Sequence, residues 1–196
     1  TWTSGFLCEN FTRLWGPDDP FRIALHTTER RLDIAHREVD IGLRNQRPEG
    51  AGLAARKVGQ VAYAAFRARH SDEPARNRWI AVVPEATQTP STRWVADQEG
   101  LDVAAWANSP RTLYDLLRAG IGNAVLPCFA GDRDAFLERA GAPIEALLQE
   151  QWLVMHDEGR QMPAVRKVVE RLAALLTDHA DLHRGLRPIG PVKPPG

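Results

Sequence analysis

The alternation of apolar and polar residues predicts strands and helices that follow one another along most of the chain. A strand shows apolar residues at every second position or in a short run, whereas a helix shows them three or four apart. Strands are predicted at residues 21–26, 39–44, 79–83, 101–107, 121–126 and 151–156, with extended chain at 53–68. Helices are predicted at residues 4–16, 27–35, 92–99, 110–119, 132–139 and 163–179. This order indicates parallel sheets covered by helices.

Helix ends are predicted from side chains that satisfy free backbone groups. Ser4 is expected to cap the first helix, and Ser109 followed by Pro110 is a favoured helix start. The helix at 163–179 has the clearest apolar stripe. Its opposite side, expected to face solvent, carries Arg166, Lys167, Glu170 and Arg171.

The composition is that of an ordinary folded domain, with 43% hydrophobic and 26% charged residues. Lys and Arg number 25, as do Asp and Glu, so the formal net charge is zero. A chain that held a DNA duplex by itself would show a clustered basic excess. We therefore expect any contact with DNA to be made by another part of the protein. Residues 181–196 are rich in proline and are predicted to form a mobile tail.

The two cysteines, Cys8 and Cys128, lie in apolar surroundings and are both expected to be buried thiols. No apolar run approaches the roughly 18 to 20 residues of a membrane span. The chain shows no basic and then apolar signal segment at its start. We expect a cytoplasmic location with no membrane partner.

Motifs for covalent, metal or cofactor chemistry are missing from the sequence. There is no Gly-x-Ser-x-Gly elbow, no Cys-x-x-Cys pair, no His-Glu-x-x-His and no phosphate-binding loop. Gly120-Ile121-Gly122 begins like a dinucleotide fingerprint, but it follows a predicted helix and precedes a strand, which is the reverse of the order needed. The sequence thus predicts no enzyme, no catalytic residue, no metal site and no cofactor.

Polar residues recur where a predicted strand meets a predicted helix. They are Thr3 and Ser4, Thr27, and Asn108 with Ser109. Helix N-termini at such junctions offer free N–H groups and a partial positive charge, which suit a small anion such as a carboxylate. Each hydroxyl could equally cap its own helix. The two roles are compatible, because a capping hydroxyl can also contact a ligand.

Four sequence motifs follow one another at set distances. They are PFRIAL at residues 20–25, REVDIGLR at 37–44, RAGIGNAVLP at 118–127 and WLVMH at 152–156. Together with the last helix, they resemble the effector-binding domain of LysR-type transcription regulators over about residues 5–178.

The resemblance implies an α/β fold of the type II periplasmic-binding-protein kind, with two Rossmann-like lobes joined by two crossing strands. The first lobe is expected to comprise residues 1–60 and 152–180, and the second residues 61–151. A first strand of the domain is expected just before Thr1. The winged helix-turn-helix through which the family contacts DNA is absent from this chain.

The resemblance also implies a small-molecule effector that binds between the lobes. Its binding is expected to change the contacts that the regulator makes with DNA. The expected effector-binding residues are Thr3, Ser4, Thr27, Arg44, Asn45, Asn108, Ser109 and Gly122. Arg44 could pair with a carboxylate, form a salt bridge between lobes, or lie in solvent at a strand end. The implied partners are the effector and further copies of the chain, as a homodimer or homotetramer. A solute-binding protein of a transport system is the alternative with the same fold.

Overall fold

The computed structural model describes residues 2–27, 33–86 and 89–186. Its helices are α1 (Trp2–Glu9), α2 (Glu73–Arg76), α3 (Pro90–Ala96), α4 (Pro110–Arg118), α5 (Cys128–Gly131), α6 (Pro163–Asp178) and α7 (Ala180–His183). Its strands are β1 (Ile41–Arg44), β2 (Leu53–Val61), β3 (Tyr63–Ala68), β4 (Arg78–Val82), β5 (Asp102–Ala107), β6 (Ala124–Pro127), β7 (Leu137–Arg139) and β8 (Gln149–His156). The chain divides into two compact units.

Unit 1 comprises Thr3–Val61 and Gln149–His183. Its sheet has the strand order β1-β8-β2, and both neighbouring pairs are antiparallel. Leu153 of β8 is fully buried, as is Leu175 of α6. The apolar residues of α6 recur three or four apart, so one face of the helix enters the core. Helix and central strand therefore share one core.

Unit 2 comprises Trp2, Ala62–Leu148 and the described residues after His183. An antiparallel sheet has the order β6-β3-β7, and a separate parallel pair joins β4 to β5. Phe66 of β3, Leu126 of β6 and Leu117 of α4 are fully buried in one cluster. Gly131 lies against the Phe66 ring, where an added Cβ would come within 2.4 Å of it.

The predicted parallel sheets are wrong for most of the molecule. Only β4 and β5 pair in parallel among the described strands. Strand β8 comes from late in the chain and lies between β1 and β2, antiparallel to both. Local patterning carries no information on such pairing.

The strand predicted at residues 21–26 is absent, since these residues are not hydrogen-bonded into any sheet of the described chain. The helix predicted at 27–35 lies largely outside the described residues, and residues 33–35 are not helical. The helix predicted at 132–139 is replaced by β7. There, the Asp134 side chain accepts from Phe136 N–H at 2.8 Å, which forms a turn, and Leu137 then pairs with β3. Tertiary pairing outweighs the helical pattern.

Three smaller expectations also change. Helix α1 begins at Trp2, so Ser4 lies inside its first turn instead of capping it. Cys8 is exposed, because α1 buries Phe6 and turns Cys8 away, whereas Cys128 is buried as predicted. The mobile tail does not begin at residue 181, because Leu182 and His183 of α7 are buried. The remainder of the predicted tail, from 187, lies outside the described residues.

Candidate functional site

A groove of about 650 Å³ opens in unit 1. One wall is formed by residues 21–27 and the other by β1 with the residues before it. Its apolar lining comes from the core: Leu14, Ile34, Leu153, Val165, Val168 and Leu172. Its polar and charged lining comes from Thr3, Ser4, Arg22, His26, Thr27, Arg37, Glu38, Asp40 and Arg44. The groove thus combines an apolar base with a charged rim, as small-molecule sites do.

Four of the eight predicted effector-binding residues line this groove. Thr3 and Ser4 reach it from the first turn of α1, Thr27 from the opposite wall, and Arg44 from the end of β1. They are separated in sequence by up to 41 positions, counted from Thr3 to Arg44. Asn45 is half-buried directly after β1 but does not line the groove.

Gly42 lies between Ile34 and Arg44 at a position where a side chain would not fit. A Cβ added at Gly42 would lie 3.6 Å from Arg44 Nε and 2.6 Å from Ile34 Cδ1. Gly42 and Arg44 are two apart and therefore point to the same face of β1. The glycine leaves room for Ile34, whereas the guanidinium would be at ordinary contact distance from an added Cβ. Sequence reasoning did not single out Gly42, although a glycine within a strand indicates a close approach.

The charged rim is partly neutralised by contacts in unit 1. Arg37 forms an ion pair with Glu158. The Glu38 carboxylate accepts from Asp33 N–H at 2.7 Å. Arg37 also has a positive φ of 57°, which is uncommon for any residue other than glycine. Three arginines and two carboxylates line the rim, and with Arg37 paired to Glu158 the charges of the others balance, so Arg22 and Arg44 are the rim cations that an anion would meet.

A buried carboxylate anchors the wall that leads into residues 21–27. Asp19 has a side chain only 3% exposed, and it contacts Arg171 Nη1 at 2.5 Å and Lys167 Nζ at 2.6 Å. The Gly16 N–H donates to the same carboxylate at 2.8 Å. Hydrogen bonds from Arg171, Lys167 and Gly16 hold the pKa of Asp19 well below its ordinary value of 3.8. Lys167 and Arg171, on the polar side of α6, therefore bind a buried carboxylate as well as bordering solvent.

The other three predicted residues belong to unit 2. Ser109 caps α4 as predicted, because its Oγ accepts from Thr112 N–H at 3.2 Å. Asn108 is exposed directly before it. Gly122 is buried, and an added Cβ would come within 2.9 Å of the Arg78 carbonyl oxygen. Close backbone approach is thus a sufficient reason for glycine at position 122.

The described residues contain no cluster of three or more His, Cys, Asp or Glu side chains with the spacing to hold a metal ion. Within the same residues, no helix is long and apolar enough to cross a membrane. The groove offers guanidinium groups, hydroxyls and an apolar base. Groups of this kind suit the binding of a small ligand.

The comparisons with known proteins agree with this architecture. The family model for the LysR substrate binding domain matches residues 13–177. The chain belongs to this family. Its fold is the α/β fold of LysR effector-binding domains, of the type II periplasmic-binding kind. The match does not favour the alternative of a transporter's solute-binding protein.

Solved structures show the same fold at low sequence identity. The effector domain of AmpR from Pseudomonas aeruginosa is 17% identical with a TM-score of 0.65, covering 91% of this chain and 92% of that one. The regulatory domain of CrgA from Neisseria meningitidis is 17% identical with a TM-score of 0.63 and the same two coverages. Full-length LysG from Corynebacterium glutamicum, with bound effector Arg, is 10% identical with a TM-score of 0.56, covering 74% of this chain. No curated protein sequence matches the chain.

The LysR-family chain spans only about half of the intact regulators. It covers 53% of LysG and 54% of full-length CbnR, which was solved with its target DNA.

Proposed function

We propose that this LysR-family domain binds a small organic anion in the groove of unit 1, and that Arg44 pairs with the ligand's carboxylate. The observation that carries the proposal is the groove itself, which brings Arg44, Thr3, Ser4 and Thr27 onto one rim above an apolar base. A guanidinium binds a carboxylate with charge-assisted hydrogen bonds, and the hydroxyls supply further donors. The apolar base would receive the carbon skeleton.

The ligand acts as a signal and dissociates without chemical change, so the domain is not an enzyme. A ligand that binds one conformation better than another shifts the population toward it. We propose that this shift reaches DNA through another part of an intact transcription regulator, in a homodimer or homotetramer in the cytoplasm. The zero net charge of this chain supports a DNA contact elsewhere.

The remaining predicted positions, Asn45, Asn108, Ser109 and Gly122, keep the status of predictions from the family resemblance. The two lobes of that resemblance we assign to unit 1 and unit 2. The two boundaries support the assignment, since the chain leaves unit 1 after Val61 and returns to it at Gln149.

Ligand binding to Arg44 variants tests the proposal. Acetate, succinate, benzoate and L-arginine serve as probes, with thermal shift as the screen and calorimetry for affinity. Arg44→Ala should weaken the best probe at least tenfold, because the loss of a charge-assisted pair is worth about 1.5–3 kcal/mol. Arg44→Lys should recover only part of it, because an ammonium lacks the planar fork.

Arg47→Ala is the matched control. Arg47 also follows β1, but its guanidinium lies 5.7 Å from the Trp152 ring centroid and does not line the groove. It should leave affinity unchanged. Binding that is insensitive to Arg44, or equally sensitive to both arginines, would contradict the proposal, as would the absence of binding by every probe.

A further inference from the structure

The end of the described chain inserts a glycine into unit 2. Residues 184–186 belong to this unit, which the chain enters after His183. Gly185 is buried, although Arg184 before it and Leu186 after it are exposed. Its φ of 69° lies in the left-handed region, which glycine adopts without strain. A single buried glycine therefore joins a surface segment to the interior of unit 2.

Gly185 lies against Cys128, the first residue of α5. A Cβ added at Gly185 would come within 2.8 Å of Cys128 Sγ and 3.1 Å of Arg139 Nη2. A side chain at position 185 would thus displace the sulfur or the guanidinium. Cys128 is fully buried, so Gly185 forms part of the cover that separates its sulfur from solvent.

A buried ion pair holds the segment in this position. Arg139 Nη2 donates to the Gly185 carbonyl oxygen at 2.9 Å. The same guanidinium pairs with Asp132, with Nε to Oδ1 at 2.8 Å and Nη2 to Oδ2 at 2.5 Å. The Asp132 side chain is only 2% exposed, and a bidentate pair of this kind fixes the orientation of the guanidinium. The Gly185 carbonyl therefore meets a donor that the fold of unit 2 holds in place.

The closed segment keeps the Cys128 thiol unreactive. Burial raises the pKa of Cys128 to about 11, so the thiolate, which is the reactive form, is scarce at neutral pH. The charge of Arg139 lowers the same pKa, because a cation stabilises a thiolate. When the segment lifts, water reaches the sulfur while the guanidinium stays beside it. Opening therefore increases both the access to the sulfur and the fraction of thiolate.

We propose that residues 184–186 form a latch over Cys128, and that a low-molecular-weight disulfide modifies the thiol when the latch is open and then keeps it open. The Cys128 thiolate attacks one sulfur of the disulfide, a new S–S bond forms, and the other half leaves as a thiolate. The group added to Sγ takes the place of Gly185 and prevents closure. A short segment opens at a lower free energy than a folded core, so unit 2 need not unfold. This inference does not depend on the ligand proposed for unit 1.

Labelling with the aromatic disulfide DTNB tests the latch. The full 196-residue chain carries Cys8→Ser, which leaves Cys128 as its one thiol. Adding Gly185→Ala should speed labelling about tenfold, because alanine is strained at positive φ and its Cβ would overlap Sγ. Gly141→Ala is the matched control, since a Cβ there meets nothing within 4 Å, and it should label at the parent rate. Equal rates for both glycine variants would overturn the proposal.

The urea dependence of labelling separates a latch from unfolding. Opening of three residues exposes little surface, so the labelling rate should be nearly constant at low urea. Labelling through unfolding would accelerate with the full m value of the protein. A rate that follows global unfolding in both the parent and Gly185→Ala would also overturn the proposal, because the latch would then have no opening of its own.

Trypsin tests whether modification keeps the latch open. The bond after Arg184 leads into buried Gly185, so its cleavage requires the latch to be open. Methyl methanethiosulfonate transfers an S–CH3 group to the Cys128 thiolate and releases methanesulfinate. The modified Cys8→Ser chain should be cleaved after Arg184 about tenfold faster, and dithiothreitol should restore the slow rate. Cleavage that is unchanged by the modification would show that Cys128 does not control the latch.

Discussion

The two units of this chain differ in how far their apolar cores are covered. In unit 2, Phe66 of the central strand β3 and Leu126 of its neighbour β6 are wholly buried. In unit 1, β1 closes one side of the sheet and an apolar groove follows it. Unit 2 has a buried core, whereas several core residues of unit 1 line an open groove. Function is therefore expected where packing is incomplete.

The largest expected effect comes from deleting the same side chain in each unit. Leu126→Ala in unit 2 should lower the free energy of unfolding by about 4 kcal/mol, because it leaves a closed cavity. Leu172→Ala in unit 1 should lower it by only about 2 kcal/mol, because that leucine already borders the open groove. Denaturant titration of both variants measures the two losses.

Equal losses of unfolding free energy for Leu126→Ala and Leu172→Ala would contradict the difference in packing between the two units. Leu126 is 0% and Leu172 is 7% exposed, so burial alone predicts nearly the same loss at both sites.

A smaller effect, dependent on pH, is expected at Asp19. Its pKa in the folded protein is lowered from 3.8, so the stability that the ionised carboxylate contributes is fully present above pH 3.8. That contribution is lost as the pH falls through the folded pKa. Asp19→Asn should therefore lower the melting temperature at pH 7, and its difference from the parent protein should shrink below pH 3.8.

Asp18→Asn is the control for Asp19, since Asp18 is exposed and adjacent in sequence. It should leave the melting temperature nearly unchanged at both pH values. A difference between Asp19→Asn and the parent that stays constant down to pH 2 would show that the ion pairs with Arg171 and Lys167 do not anchor this wall.

Local signals in the sequence were sufficient for several elements. The stripe on α6 and the start of α4 at Ser109 and Pro110 were predicted because helices depend on neighbouring residues. The position of β7 depends instead on Asp134, whose carboxylate receives hydrogen bonds from Tyr114 and from Phe136 N–H. A contact between residues 20 positions apart does not appear in the spacing of apolar residues along the sequence.

The candidate site was predicted only in part, because some of its contacts join residues that lie far apart in the sequence. Family motifs indicated Thr3, Ser4, Thr27 and Arg44, and these line one groove. The role of Gly42 depends on Ile34, and that of Asp19 depends on Arg171, which lies 152 positions away. Composition and spacing cannot reveal such pairs, because the fold alone brings them together.

The central claim is that the groove of unit 1 receives the anion. Amide and methyl NMR spectra, recorded while the best-binding probe is titrated into the protein, test it most directly. The account predicts saturable shifts at Thr3, Thr27 and Arg44 and at the groove methyl groups of Val168 and Leu172, all with one dissociation constant. Shifts that leave these five residues unmoved and fall elsewhere in the chain would contradict it.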